Sequence, residues 1–140
     1  MAAFNKFNAF VADAANKVHN LGSDALKVML TNAAPVATNA VKADITEITA
    51  GNGYAAGGNA ATLVSSSQTS GLYKLILNSP ATWTATPGTM ATFRYAVLYN
   101  STPGAGPLIG WWDYGSAVSL AVGETFTLTM DGGTGVLQLQ

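Results

Sequence analysis

Hydrophobic and polar positions change their period once along this chain. Between residues 3 and 19, Ala3, Phe7, Phe10, Val11, Ala14 and Val18 recur at three- and four-residue steps, while Asn5, Lys6, Asp13, Asn16 and Lys17 fall on the other side. That spacing predicts an amphipathic helix. Leu21-Gly22 supplies its stop, because glycine accepts the left-handed conformation at a helix end. From Leu26 the step becomes two. Leu26, Val28 and Leu30 alternate with Lys27 and Met29, which predicts a strand closed by Asn32 and Pro35. Residues 36 to 58 follow neither period, apart from a short helical turn expected around Asn39 to Asp44.

The remainder reads as β. "AATLVSSSQ" and "GLYKLILN" flank Thr69-Ser70-Gly71, a hairpin signal. "ATWTAT" ends at Pro87-Gly88, "TMATFRYAVLYN" follows, and "PLIGWWDYG" comes after the loop "STPGAG". "SAVSLAVGETFTLTM" divides at Val122-Gly123-Glu124, and a last strand is expected from about Thr134. About eight short strands punctuated by turns, without interleaved helices, predict a mainly β fold: an antiparallel β-sandwich, jelly-roll-like, with a short N-terminal α-helix. Residues 1–22 are expected to form a helix or arm packing on the domain or on a neighbour, and residues 23–140 a single β-sandwich domain. Strict alternation places Phe93, Tyr95, Val97 and Tyr99 on one face, with Arg94, Ala96 and Leu98 on the other. It likewise buries Phe126, Leu128 and Met130 and leaves Thr125, Thr127 and Thr129 wet.

Composition narrows the function more than the fold. The chain has 140 residues, of which 49% are hydrophobic and 9% charged. A usual charged share is about 25%, so Asn, Ser, Thr and Gly must keep this surface soluble. Such a surface repels its own copies weakly, which favours an assembly subunit. The six cations, Lys6, Lys17, Lys27, Lys42, Lys74 and Arg94, are scattered and the net charge is −1. Nucleic-acid binding, which needs clustered Lys and Arg, is therefore not expected. Cysteine is absent, and with it disulfides, thiolate nucleophiles and Cys-based zinc sites. No apolar run reaches the ~20 residues of a membrane helix, so no membrane partner is expected. The first twenty residues lack the continuous apolar core of a secretory signal, and synthesis in the cytoplasm is expected.

Candidate chemistry is thin. His19 is the single histidine and falls at the end of the N-terminal helix, where a structural role is expected. Among the carboxylates, Asp44 and Glu47 sit in a loop or short helix, and Glu124 and Asp131 lie beside glycines where such residues serve turns. No two stand out as a facing acid–base pair of the kind a glycosidase needs. Asp131-Gly132-Gly133 offers too few oxygens for calcium. "GNGYAAGGN" has the glycine content of a phosphate loop but neither its spacing nor its lysine, and the segment after it reads as a strand. Gly51, Gly53, Gly57 and Gly58 are instead expected to serve positive φ angles and close backbone approach, with Tyr54 pinning the connection. In "GWWDYG" the adjacent tryptophans must face opposite ways, one into the core and the other toward the surface or an interface. No catalytic residue, cofactor or metal site is assigned. The candidate interface residues are Phe4, Phe7, Phe10, Tyr54, Trp111, Trp112 and Tyr114.

The run from Val18-His19-Asn20-Leu21-Gly22, through the Leu26–Leu30 strand and Thr31-Asn32, to Gly51-Asn52-Gly53-Tyr54 and Gly57-Gly58 resembles a family of small structural proteins of tailed bacteriophages. "FRYAVLYN", "GWWDYG" and the glycine-bearing end are similar too. The resemblance implies a virion component: a decoration or cementing protein with a jelly-roll-like fold on the capsid exterior, bound to the major capsid protein and to itself, as a dimer ahead of a trimer. It carries over no catalytic residues. A tail- or fibre-associated protein is the neighbouring alternative. A carbohydrate-binding module using Trp111 or Trp112 with Asp113 is the alternative from another class.

Overall fold

In the computed structural model, which describes residues 2–140, ten short strands and one helix follow in the order β1 (Phe4–Lys6), α1 (Asn8–Ala15), β2 (Leu26–Thr31), β3 (Asn59–Ala61), β4 (Leu63–Thr69), β5 (Leu72–Leu77), β6 (Trp83–Thr84), β7 (Phe93–Asn100), β8 (Leu108–Val118), β9 (Thr125–Phe126) and β10 (Leu137–Leu139). A 3-10 turn at Lys42–Asp44 falls where a turn of helix is expected. Asp44 accepts the backbone N–H groups of Ala40 and Val41 there, at 2.9 and 3.2 Å. The strands form a five-stranded sheet in the order β1-β8-β7-β2-β3, a three-stranded sheet β10-β5-β4 and a ribbon β6-β9, all antiparallel. The mainly β, antiparallel architecture with one short helix is as expected. Its strands are shared five, three and two, so the layered arrangement is established and jelly-roll connectivity is not.

The five-stranded sheet is covered on both faces. Leu26, Val28 and Leu30 of β2 point into the main core with Ala96 and Leu98 of β7, opposite Leu75, Leu77, Leu137, Trp83 and Met130. Met29, Val97, Tyr99 and Leu108 point the other way, into a smaller core closed by Phe7 and Ile45. Burial on both faces explains why β2 reads as a nearly continuous apolar run rather than a clean alternation.

Two local irregularities revise the sequence reading of the faces. A register shift between Phe93 and Tyr95 puts Phe93 in the main core with Ala96 and Leu98, not on the face of Val97 and Tyr99. A second shift, opposite Leu98/Tyr99, adds a residue in β8, so Ile109 and Trp112 share the main core while Leu108 and Trp111 meet the smaller one. The second shift adds one residue to β8 and the first adds three, and an odd insertion into a period of two changes which side chains share a face beyond it.

The N-terminal helix is shorter than its stripe. Phe4–Lys6 is extended and pairs with Gly110–Trp112 on the edge of β8, because that edge offers unpaired backbone groups and a place for an aromatic ring. A Cβ on Gly110 would lie 2.2 Å from the Phe4 ring, so glycine there is what lets Phe4 lie against the strand. Helix α1 then begins at Asn8 and leaves through Lys17 at φ 62, short of Gly22. Val11, expected on the buried stripe, is 60% exposed, while Phe7 and Phe10 are fully buried in this chain's own two cores.

The hairpin at Thr69-Ser70-Gly71 is found, with positive φ at Ser70 and Gly71 as a two-residue primed turn demands. The segment around Trp83 and that after Gly123 contribute only two strand residues each, although Leu128 and Met130 are buried and Thr127 and Thr129 exposed as the alternation predicts. In the glycine-rich connection, a Cβ on Gly58 would come 1.8 Å from the Val28 carbonyl oxygen, at φ 74. Close backbone approach is its role.

Candidate functional site: an aromatic cleft

A surface feature shaped to hold a partner is built by β7, β8 and the stretch after β9. Tyr95 pairs with Asp113 and Phe93 with Val118, so Tyr114–Ala117 bulge out of the sheet opposite Arg94. Gly115 makes the bend at φ 101 and gives its N–H to Asp113 Oδ1 at 2.8 Å. Arg94 fixes the other side of this bend with a two-pronged contact, Nε to Oδ1 at 2.8 Å and Nη2 to Oδ2 at 3.0 Å. The fork matches guanidinium to carboxylate geometry. It holds the Asp113 carboxyl below the usual carboxylate range, helped by the Gly115 N–H, and raises Arg94 further.

The bulge re-aims Tyr114 across the sheet, where it meets the edge of Phe126 at 5.9 Å and 76°. Phe126 in turn packs edge-on against Phe93 at 4.8 Å. Between these rings, Trp112, Ala96, Leu128 and the hydroxyl-bearing Thr127 and Thr129 lies a cleft of about 370 Å³. Its walls are apolar and its rim carries Arg94 and the threonines. Aromatic walls with a few polar groups at the mouth are the usual make-up of a recognition pocket.

The seven candidate interface residues divide sharply. Tyr114 is 59% exposed and stands on the cleft. Trp112 is buried and forms part of the cleft wall, with Phe4, half-buried, against its ring at 4.8 Å. Trp111 faces the opposite side, half-buried, and stacks on Phe7 at 4.5 Å. Phe7 and Phe10 are fully buried and Tyr54 is 3% exposed, so in this chain these three are core residues and not surface contacts. For Phe7 and Phe10 the physical reason is the sheet edge, since docking of β1 on β8 draws the rings that follow inside; Tyr54 is held in by the Leu30 N–H and Glu47.

Two polar clusters escaped the sequence reading, and both are structural. Glu47 accepts the Tyr54 hydroxyl and the Gly57 N–H and lies 3.8 Å from Lys42 Nζ. Tyr54 in turn accepts the Leu30 N–H at 3.2 Å, and Tyr99 donates to the Gly57 carbonyl at 2.8 Å. Burial, and then the bond to Glu47, push the Tyr54 phenol well above its ordinary value; burial also raises Tyr99. A phenol so placed stays protonated and acts as a strut. The one signal in the sequence was a lone carboxylate between Ile45 and Ile48, both buried.

The second cluster centres on Asn100, fully buried. Its Oδ1 accepts the Thr102 N–H at 3.0 Å, and its Nδ2 donates to Asp24 and faces His19 Nδ1 at 3.2 Å. Those partners fix the amide, so His19 Nδ1 is the acceptor and the proton of the neutral ring sits on Nε2. Nε2 finds no acceptor among the described residues. Burial lowers the His19 pKa, against the opposing pull of Asp13 and Asp24.

Glu124 and Asp131 serve turns. Glu124 accepts the Ala121 N–H at 3.0 Å, and Asp131 takes the N–H groups of Gly133 and Thr134 and the Thr134 hydroxyl. Those bonds, the Thr134 hydroxyl first, lower the Asp131 pKa. Among the described residues no three His, Asp or Glu side chains gather as a metal site, and no helix is long and apolar enough to cross a membrane. Comparison of the chain with protein-family models, with curated proteins and with solved structures found no match in any of the three.

Proposed function

We propose that this protein is a non-enzymatic virion structural subunit, a capsid decoration or cementing protein that seats on the outside of the major capsid protein shell and bridges capsomers. The observation that carries this reading is the aromatic cleft beside a fixed Arg94–Asp113 pair on a surface otherwise poor in charge. Tyr, Trp and Arg are the residue types that anchor protein interfaces, above all around a concave apolar site. The resemblance to phage structural proteins supplies the identity of the partner. Elsewhere Asp44, Glu47, Glu124 and Asp131 are engaged in turns and struts, which supports a product that is an interface and not a reaction. Bound in many copies to the mature lattice alone, such a subunit stabilises the shell by mass action.

The test is purified particles. Cryo-EM reconstruction is expected to show the chain on the outer face of mature heads, and Tyr114→Ala is expected to lower its occupancy. Heads without the protein, or label confined to tails, would reject the capsid assignment; the tail outcome supports the fibre-associated reading. The cleft also suits the flat face of a sugar ring, with Tyr114 replacing Trp111 or Trp112 as the stacking residue, since Trp111 packs on Phe7 and Trp112 is buried. A glycan array that gives signal with the wild type and none with Tyr114→Ala would favour that second reading.

A further inference from the structure

The ends of the sheets are not alike. The outer strands β1, β3 and β10 are three residues long, and short edges leave little for another chain to pair with. Strand β4 is the exception. It runs seven residues, Leu63-Val64-Ser65-Ser66-Ser67-Gln68-Thr69, on the free edge of its sheet. It contains no charge and no proline, and Leu63 and Val64 are 40% and 55% exposed. Natural proteins usually defend such an edge with lysine, proline or a covering element. A single bulge near Leu63/Ser65 is the only such device on β4, and from Ser65 to Thr69 the register with β5 is unbroken.

Hairpin geometry fixes which backbone groups face outward. The two-residue turn makes Thr69 and Leu72 the closing hydrogen-bonded pair. Bonded and non-bonded pairs then alternate, so Ser67 and Ser65 turn their N–H and C=O to β5. Ser66 and Gln68 turn theirs away from the sheet. Those outward groups form a short ladder with no partner among the described residues.

We infer that β4 pairs antiparallel with β4 of a second copy across a two-fold axis at Ser66. This rests on the proposed subunit role and names its self-contact. In that register Ser66 faces Ser66, Ser65 faces Ser67, and Val64 faces Gln68, so the outward groups of both strands meet and Val64 is partly covered. An isologous contact needs a self-complementary surface. An uncharged, serine-rich strand provides one, since no like charges are brought together, and a chain of net charge −1 adds little long-range repulsion. The two three-stranded sheets become one of six.

The test is hydrogen exchange of the full chain alongside sedimentation over a concentration series. Wild type is expected to sediment as a dimer, with the Ser66 and Gln68 amides protected at high concentration and released on dilution. Ser66→Lys sets two like charges face to face on the axis, and Gln68→Pro removes an outward N–H. Both are expected to sediment as monomers with unchanged far-UV circular dichroism. A wild-type monomer at all concentrations overturns the inference, as does a dimer whose Ser66 and Gln68 amides exchange freely. If either variant misfolds, the wild-type amide pattern decides alone. A monomer that still decorates heads would remove this contact and leave the capsid reading standing.

Discussion

Single side chains here do work that their residue types do not advertise. Tyr54 accepts the Leu30 N–H and donates to Glu47, joining the glycine-rich connection to β2. Tyr54→Phe keeps the ring, leaves the buried Leu30 N–H without its acceptor and takes one donor from Glu47, so a loss of about 1–3 kcal/mol is expected in urea unfolding. A loss within error would mean that water replaces the hydroxyl. His19 gives a pH dependence of definite sign. Its folded pKa lies below the ordinary 6.5, so the unfolded chain binds the proton more readily. Stability is therefore complete above pH 6.5 and declines as pH falls below it toward the folded value, with a slope of at most ~1.4 kcal/mol per pH unit. Calorimetry is expected to show the melting temperature dropping in that window, and His19→Gln is expected to flatten it. The sequence announced that Tyr54 would pin the connection and that His19 would be structural. It could not announce their partners, because Glu47 meets Tyr54 through a connection that follows neither period, and Asn100 reaches His19 only after the sheet has brought distant segments together.

At the level of strands and helix, periodicity found the elements and misjudged their ends. The strand from Leu26, the hairpin at Ser70-Gly71 and the turn at Gly123 follow from local chemistry, and they stand where that chemistry places them. Phe4–Lys6 does not, since its three- and four-residue spacing suits a helix equally well and only the waiting edge of β8 decides. The bulges in β7 and β8 were equally invisible, being a compromise between sheet twist and the packing of Phe93 and Ile109. The cleft was half legible: paired tryptophans forced one ring inward, but the bulge that turns Tyr114 outward depends on Arg94 reaching Asp113. Gly110 offers a direct test of the β1 contact. Gly110→Val would drive a side chain into the Phe4 ring and the Asn5 carbonyl. Release of β1 is expected, seen as fast exchange of the Asn5 and Phe7 amides and as new cleavage near the N-terminus, with a stability loss of about 1–3 kcal/mol from the overpacked site. Unchanged exchange would show that β1 tolerates a side chain beneath it.

For the molecule as a whole, a surface with 9% charged residues sets how it should associate. Contacts made by aromatic rings, aliphatic side chains and backbone ladders are not weakened by salt, whereas exposed charge pairs are screened over a Debye length of ~8 Å at physiological ionic strength. Binding to particles is expected to change by less than roughly threefold between about 50 and 500 mM salt. A steep fall would place the attachment on the few lysines instead. The sheet also imposes an order of events on synthesis. Asn5 and Trp111, neighbours across the β1–β8 pair, are separated by 106 positions. Strand β1 leaves the ribosome long before β8 and must stay unpaired until β8 has followed, and Phe7 and Phe10 stay uncovered with it. Closure of the β1–β8 pair is then a late step, so a nascent chain halted before β8 would be a client for chaperones, not a partly built subunit.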